Sequence, residues 1–178
     1  MNVAEHVARW LGEKDITHAF GIVGGGNVAI WNAIARHQKT RLISVHHEQA
    51  ASMAATYYYR ASGRLPLCLV TTGAGSANAI TGVIAAWMDQ IPLIVISGNE
   101  PSRFFGQTEH DWRIRVKGTQ GYRTADVARE FVKYAVQVTD PKKVVLSLEF
   151  ARMTALKPPR GPIWVDLPKD IQTHALEG

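Results

Sequence analysis

One acid, Glu48, stands where proton chemistry is possible. It follows two histidines in His46-His47-Glu48 and leads into an apolar stretch with Ala50, Ala51, Met53, Ala54 and Ala55. A helix dipole tolerates a carboxylate at such a start, so a capping role is physically adequate. The same neighbours would partly desolvate the carboxyl and raise its proton affinity, which suits a group that shares or moves a proton. Three glycine-bearing turns accompany it: Gly24-Gly25-Gly26, Thr72-Gly73-Ala74-Gly75 and Gly98-Asn99. Glycines there either admit a ligand close to the backbone or only let a strand turn tightly into a helix. Neither of the first two turns is a nucleotide fingerprint. Gly21, Gly24, Gly25 and Gly26 are spaced wrongly for G-x-G-x-x-G, and Asn78 stands where the second turn would need its third glycine, with no P-loop Lys-Ser/Thr after it. His46 and His47 are metal ligands by type alone. Adjacent residues on a strand end point apart and no third ligand stands at suitable spacing, so no metal is expected on this chain.

These turns need strands and helices to hold them. Val3, Val7, Trp10 and Leu11 share one helical face with Asn2 placed as cap, predicting a helix over 3–13. Ala19–Val23 is a short strand running into the glycine triplet, and Ile30, Trp31 and Ile34 mark the helix that follows. RLISV (41–45) is a second strand, and the Ala-rich helix beyond it stops at Gly63. LPLCLVTTG holds a third strand, with Cys68 as a small core residue, and AGSANAITGVIAAWMDQ is a helix. IPLIVISG is apolar on both faces, as in a parallel strand covered on both sides. Residues 99–121 have no sustained period and read as a long loop or broken helix. After them FVKYAVQV is a strand, PKKVVLSLEFARMTAL an amphipathic helix entered through Asp140 and Pro141, and PIWVDLP a last strand. Six strands alternating with helices specify an α/β fold: a three-layer sandwich whose mostly parallel six-stranded sheet is covered by helices on both faces. Residues 1–174 are expected to form one domain, with 175–178 as a tail. In such a sheet the ligand crevice lies at the carboxyl ends of the strands, where Glu48 and the glycine turns fall.

Composition narrows the function classes. The 178 residues are 46% hydrophobic and 20% charged, ordinary values for a folded domain. The net charge of +5 is spread thin: seven basic residues to five acidic in 1–98, seven to five in 99–133, six to five in 134–178. Without a basic stripe or interleaved aromatics, nucleic acid is not an expected partner. A single cysteine excludes a disulfide framework or a multi-thiolate zinc site and fits a reducing compartment. Glu5, Arg9 and Glu13 interrupt the first helix, so it does not read as a signal peptide, and no apolar run reaches the roughly 20 residues of a membrane span. A cytoplasmic location away from membranes is the expectation.

The string VHHEQAASMAATYYYRASGRLPLCLVTTGAGSANAITGVIAAWMDQIPLIVISGN resembles the pyrimidine-binding (PYR) domain of thiamine-diphosphate enzymes, nearest the acetolactate synthase and pyruvate oxidase group. FGIVGGGN resembles that group's opening glycine loop and PRGPIWVDLPKDIQ its closing strand, so the likeness spans about residues 2–172. The specific part is the combination of His47-Glu48-Gln49-Ala50-Ala51, a GxGxxN turn 25 residues on, and DxIPLIVISG.

The resemblance implies a role for each matched residue. Glu48 would be the catalytic acid that hydrogen-bonds N1′ of the aminopyrimidine, favouring the imino tautomer whose exocyclic nitrogen removes the thiazolium C2 proton. Val23, Gly24, Gly25, Thr72, Gly73, Ala74 and Asn78 would bind the cofactor, and Gly26, His47 and Arg123 would lie toward a small 2-keto acid substrate. Ala74 stands where the family usually has proline, and Arg123 where a glutamine is typical, after a longer preceding segment. The family holds the diphosphate through Mg²⁺ on a second domain bearing a GDG motif, and no GDG occurs in these residues. The resemblance therefore implies half a site, completed by a separate diphosphate-binding chain that carries Mg²⁺ and shares the thiamine diphosphate. The function it implies is 2-keto acid decarboxylation or carboligation by a heterotetramer-like assembly, with self-association through small and aromatic residues of the two helices flanking the site. A non-catalytic regulatory or binding domain that retains the fold is the alternative.

Overall fold

The computed structural model describes residues 1–105 and 115–176, so the middle of the long segment expected at 99–121 lies outside the described residues. The strands are β1 (His18–Gly21), β2 (Arg41–Ser44), β3 (Leu67–Val70), β4 (Ile94–Asn99), β5 (Tyr134–Gln137) and β6 (Ile163–Pro168). They form one sheet in the order β2-β1-β3-β4-β6-β5, every pair parallel. The helices are α1 (Val3–Glu13), α2 (Val28–His37), α3 (Glu48–Ser62), α4 (Ala74–Met88), α5 (Thr124–Ala128), α6 (Val144–Leu156) and α7 (Lys169–Thr173). No helix among the described residues is long and apolar enough to cross a membrane.

Period-two alternation along the central strands builds a core on each face of the sheet. Leu67, Leu69, Ile94, Ile96, Ile163 and Val165 point to the side covered by α1, α2, α6 and α7. Cys68, Val70, Val95 and Trp164 point to the other side, against α3, α4 and α5. This is the three-layer α/β sandwich anticipated above.

Local chemistry sets the helix ends. Asn2 and Glu5 form a reciprocal capping box at the start of α1, each side chain accepting from the other's backbone N–H. Gly63 ends α3 in the left-handed region at φ 70°. Asp140 accepts from Lys142 N in the 3-10 turn that opens α6. Two features differ from the sequence expectation. The short helices α5 and α7 were too brief to leave a periodic signal. Helix α6 is not amphipathic: Val144, Leu148, Ala151 and Ala155 are buried, yet Leu146, Phe150 and Met153 on its outward side are exposed apolar residues. At the ends of the described chain, Ala175 pairs with Asn2 in an antiparallel bridge.

The strand order positions the site. From β1 the chain moves to β2 on one side, then returns to β3 on the other, and α2 and α4 leave on opposite faces. The carboxyl ends of β1 and β3 therefore flank a topological switch point, the crevice where open α/β sheets bind ligands.

Candidate functional site

Three turns converge on this crevice. The Gly24-Gly25-Gly26 loop after β1 is pinned from three directions. Asn27, fully buried, accepts from Gly24 N at 2.8 Å and donates to Ile22 O at 3.0 Å. Gly26 N donates to Thr71 Oγ1 at 3.1 Å, and Gln172 of α7 donates to Gly26 O at 2.6 Å. The glycines do different work. A Cβ on Gly24 would lie 2.5 Å from Thr71 Oγ1, and one on Gly26 would lie 2.1 Å from Thr72 Oγ1, so both allow the loop to pack on the β3 turn. A Cβ on Gly25 would meet nothing within 4 Å. Gly25 is thus the position where the loop offers bare backbone to open space, and Val23 beside it is 47% exposed.

Glu48 opens α3 and is 8% exposed. His47 serves as the helix cap, Nδ1 accepting from Gln49 N at 3.2 Å, while Glu48 turns inward. Among the described residues its carboxylate has one hydrogen-bond donor, Asn78 Nδ2, which reaches Oε2 at 3.0 Å from α4. The other oxygen, Oε1, lies over Gly75, where a Cβ would stand 2.9 Å away and also 2.7 Å from Thr71 Cγ2. Gly75 is a residue that sequence reasoning did not assign. Its signal was present as the second glycine of Gly73-Ala74-Gly75, but its purpose depends on a carboxylate 27 positions earlier. Cys68 lies beneath, fully buried; burial pushes its thiol well above the usual range and the Glu48 charge adds to this. Cys68 is thereby an inert core residue, as expected.

The remaining cofactor candidates cluster at the β3 turn. Gly73 has φ +69°, a conformation that favours glycine, and a Cβ there would strike the Gln120 side chain at 2.7 Å. Thr72 is buried, with Oγ1 3.4 Å from Gly98 O as a weak donor. Arg123 donates to Phe105 O at 3.2 Å and stands 3.7 Å from Asp126. Gln120, not singled out in the sequence, lies with its side chain against Gly73 of the β3 turn. Among the described residues, no three His, Cys, Asp or Glu side chains gather as a metal site would require.

Residues 1–120 match the family described as thiamine pyrophosphate enzyme, N-terminal TPP binding domain. The chain belongs to this family. As a TPP-binding N-terminal domain it is 36% identical to the acetolactate synthase large subunit of Buchnera aphidicola (from Acyrthosiphon pisum) over 168 residues, which is 94% of this chain and 28% of that protein. It is 34% identical to the acetolactate synthase isozyme 3 large subunit of Escherichia coli K12, over 97% of this chain and 28% of that protein. The acetolactate synthase large subunit of Corynebacterium glutamicum is 31% identical, over 99% of this chain and 27% of that protein. The chain thus spans just over a quarter of the length of the curated relatives it matches.

The TPP domain's residues fit the aminopyrimidine half of the cofactor. The donor set is a buried carboxylate with one oxygen turned to a glycine surface, beside backbone at Gly25 that carries no side chain. Bare backbone admits a planar ring, and a buried carboxyl can share a proton with a ring nitrogen.

Proposed function

We propose that this chain supplies the pyrimidine-binding half of a thiamine-diphosphate site in an enzyme that decarboxylates or joins 2-keto acids. The observation that carries the reading is Glu48: a carboxyl kept almost wholly out of water, oriented by Asn78, at the switch-point crevice. Burying a carboxyl without full hydrogen bonding is costly, and among the described residues Glu48 has only one donor, so a ligand nitrogen at the crevice would supply the partner it lacks.

Bound there, thiamine diphosphate would supply the electron sink that such cleavage requires. Glu48 would hold a proton at N1′, Asn78 would keep the carboxyl aimed, and Gly25 with Val23 would seat the ring. Thr72, Gly73 and Ala74 would line the ring's other side, and Gly26, His47 and Arg123 would lie toward the substrate. The diphosphate and its Mg²⁺ call for a GDG-type domain docked over this crevice. The likeness to acetolactate synthase large subunits over nearly the whole of this chain supports the reaction class. The lone, inert Cys68 is compatible with a reducing cytoplasm.

Titration calorimetry of the complete enzyme with thiamine diphosphate and Mg²⁺ tests the reading. Binding is expected for wild type and is expected to weaken in Glu48→Ala. Absence of binding by the complete enzyme would overturn the proposal.

A further inference from the structure

A second buried acid, Asp166 in β6, lies outside the reading above. It is fully buried and accepts three hydrogen bonds: Ser97 Oγ donates to Oδ1, while Asn99 Nδ2 and Gln137 Nε2 each donate to Oδ2 at 2.7 Å. Trp164 Nε1 in turn donates to Ser97 Oγ at 2.8 Å. A carboxylate accepts only, so it dictates which end of the Asn99 amide faces it. With its nitrogen so fixed, Asn99 gives its second N–H to Tyr122 O at 2.9 Å and takes Glu100 N on Oδ1 at 2.9 Å.

The connection continues into the cofactor turn. Ser76 Oγ donates to Gly73 O at 2.9 Å and therefore receives the Tyr122 hydroxyl, also at 2.9 Å. Tyr122 is tied at both ends, its carbonyl to Asn99 and its hydroxyl to Ser76. Residues 117 and 121 close a turn through two backbone bonds, 2.7 and 3.3 Å, and that turn presents Gln120 to the bare face of Gly73.

We propose that Asp166 is a positioning residue for the cofactor site: by orienting Asn99 it clamps residues 117–124 so that Gln120 seats on Gly73 and the Ser76 end of α4 is held in place. The inference rests on the reading that thiamine diphosphate binds at this crevice. Asp166 touches neither cofactor nor substrate; it acts through Asn99 and Tyr122.

The test has two arms. Amide hydrogen exchange on the chain follows residues 117–124 and 73–78, with α1 as internal reference. Calorimetry on the complete enzyme follows thiamine diphosphate affinity in the presence of Mg²⁺. In Asp166→Ala, exchange in both segments is expected to accelerate about tenfold or more while α1 is unchanged, with about a tenfold loss of affinity. Asp166→Asn should restore both to within about threefold, since its Oδ1 can accept from Asn99 and Gln137 and its Nδ2 can donate to Ser97. Should Asp166→Ala lose α1 protection as well, Tyr122→Phe decides: it cuts only the Ser76 tie and is expected to loosen residues 73–78 alone and weaken binding. Unchanged exchange in a folded Asp166→Ala, or faster exchange with unchanged affinity, would overturn the inference. Failure of the wild-type enzyme to bind the cofactor would instead overturn the site reading on which it rests.

Discussion

At the residue scale two buried carboxyls, one at the crevice and one behind it, stand in different surroundings. Glu48 faces the crevice with a single donor, whereas Asp166 is enclosed by three. Glu48→Gln keeps the shape of the side chain but cannot share a proton with a ring nitrogen, so kcat of the complete enzyme should fall by about two to four orders of magnitude. A thermal unfolding midpoint within a few degrees of wild type would accompany that loss; turnover within a few-fold of wild type would rule out the proposed role. Burial raises the Asp166 carboxyl from 3.8 to about 6, and its three hydrogen bonds only partly offset the desolvation. Because the folded state then holds the proton more tightly than the unfolded chain, this group's contribution favours folding at low pH and is lost as pH rises from about 4 to 6 and beyond. Between pH 5 and 7.5, denaturant titrations should therefore show wild type losing on the order of 1 kcal/mol relative to Asp166→Asn, which has no charge to desolvate. A pH-independent difference between the two proteins would contradict this assignment.

At the element scale, the Glu48–Asn78 pair depends on how α3 and α4 pack together. Glu48 begins one helix and Asn78 lies in the first turns of the other, so their 3.0 Å contact is set by the spacing of the two axes. That spacing is fixed by Gly82, where an added Cβ would fall 2.2 Å from Ser52 Oγ and 2.8 Å from both Ser52 Cβ and Met53 N. The serine hydroxyl can rotate aside, but the backbone of α3 cannot. Gly82→Ala should therefore destabilise by about 1–3 kcal/mol, since overpacking offsets any gain in helix propensity. The same substitution should weaken thiamine diphosphate binding by separating Asn78 from Glu48. Chemical denaturation and calorimetry on one preparation check both effects, and an unchanged unfolding midpoint would show that the crossing is not tight. Gly75→Ala acts more locally, pressing on Glu48 Oε1 and Thr71, and is expected to cost more in affinity than in stability.

At the scale of the whole molecule, the crevice is incomplete in our reading, and the surroundings are consistent with a covered face. Val23 and Val28 beside the glycine loop are exposed apolar residues, and farther from the crevice so are Tyr57 on α3 and Trp87 near the C-terminal end of α4. The small residues of the two helices expected as contacts, Ala50, Ala51, Ala54, Ala55, Ala85 and Ala86, differ in exposure, with Ala54 and Ala85 half-buried. Ala51, Ala55 and Ala86 belong to the chain's own core, while Ala50 is exposed. Self-association through these helices would therefore rest on the aromatics, Ala50 and the half-buried Ala54 and Ala85, while close approach through the buried alanines is already used within the chain. Residues 1–178 by themselves are expected to bind thiamine diphosphate and Mg²⁺ more weakly than micromolar, because in our reading they offer ring contacts and carry no GDG motif. Light scattering should register a larger species when a GDG-type diphosphate-binding domain is added to residues 1–178. Micromolar affinity of the chain alone, or a strictly monomeric chain in that mixture, would count against a shared site.

Much of this architecture was legible in the sequence because it is encoded locally. Helix caps at Asn2 and Gly63, strand runs of four to six apolar residues, and an acid at the start of α3 all follow from neighbours within a few positions. Short α5 and α7 escaped for the same reason, having too few residues to show a period, and the outward face of α6 departs from the amphipathic pattern that the sequence suggested. Only the tertiary structure decided what the glycines and polar residues do. Gly24 and Gly26 accommodate Thr71 and Thr72, Gly25 faces open space, Gly75 makes room for Glu48, and Gln120 covers Gly73. Asp166 and Asn99 meet across 67 residues of chain, and Glu48 and Asn78 across 30. Such pairings depend on which strands are neighbours and in what register, and hydrophobic periodicity marks only which face of an element is buried, not which element lies beside it.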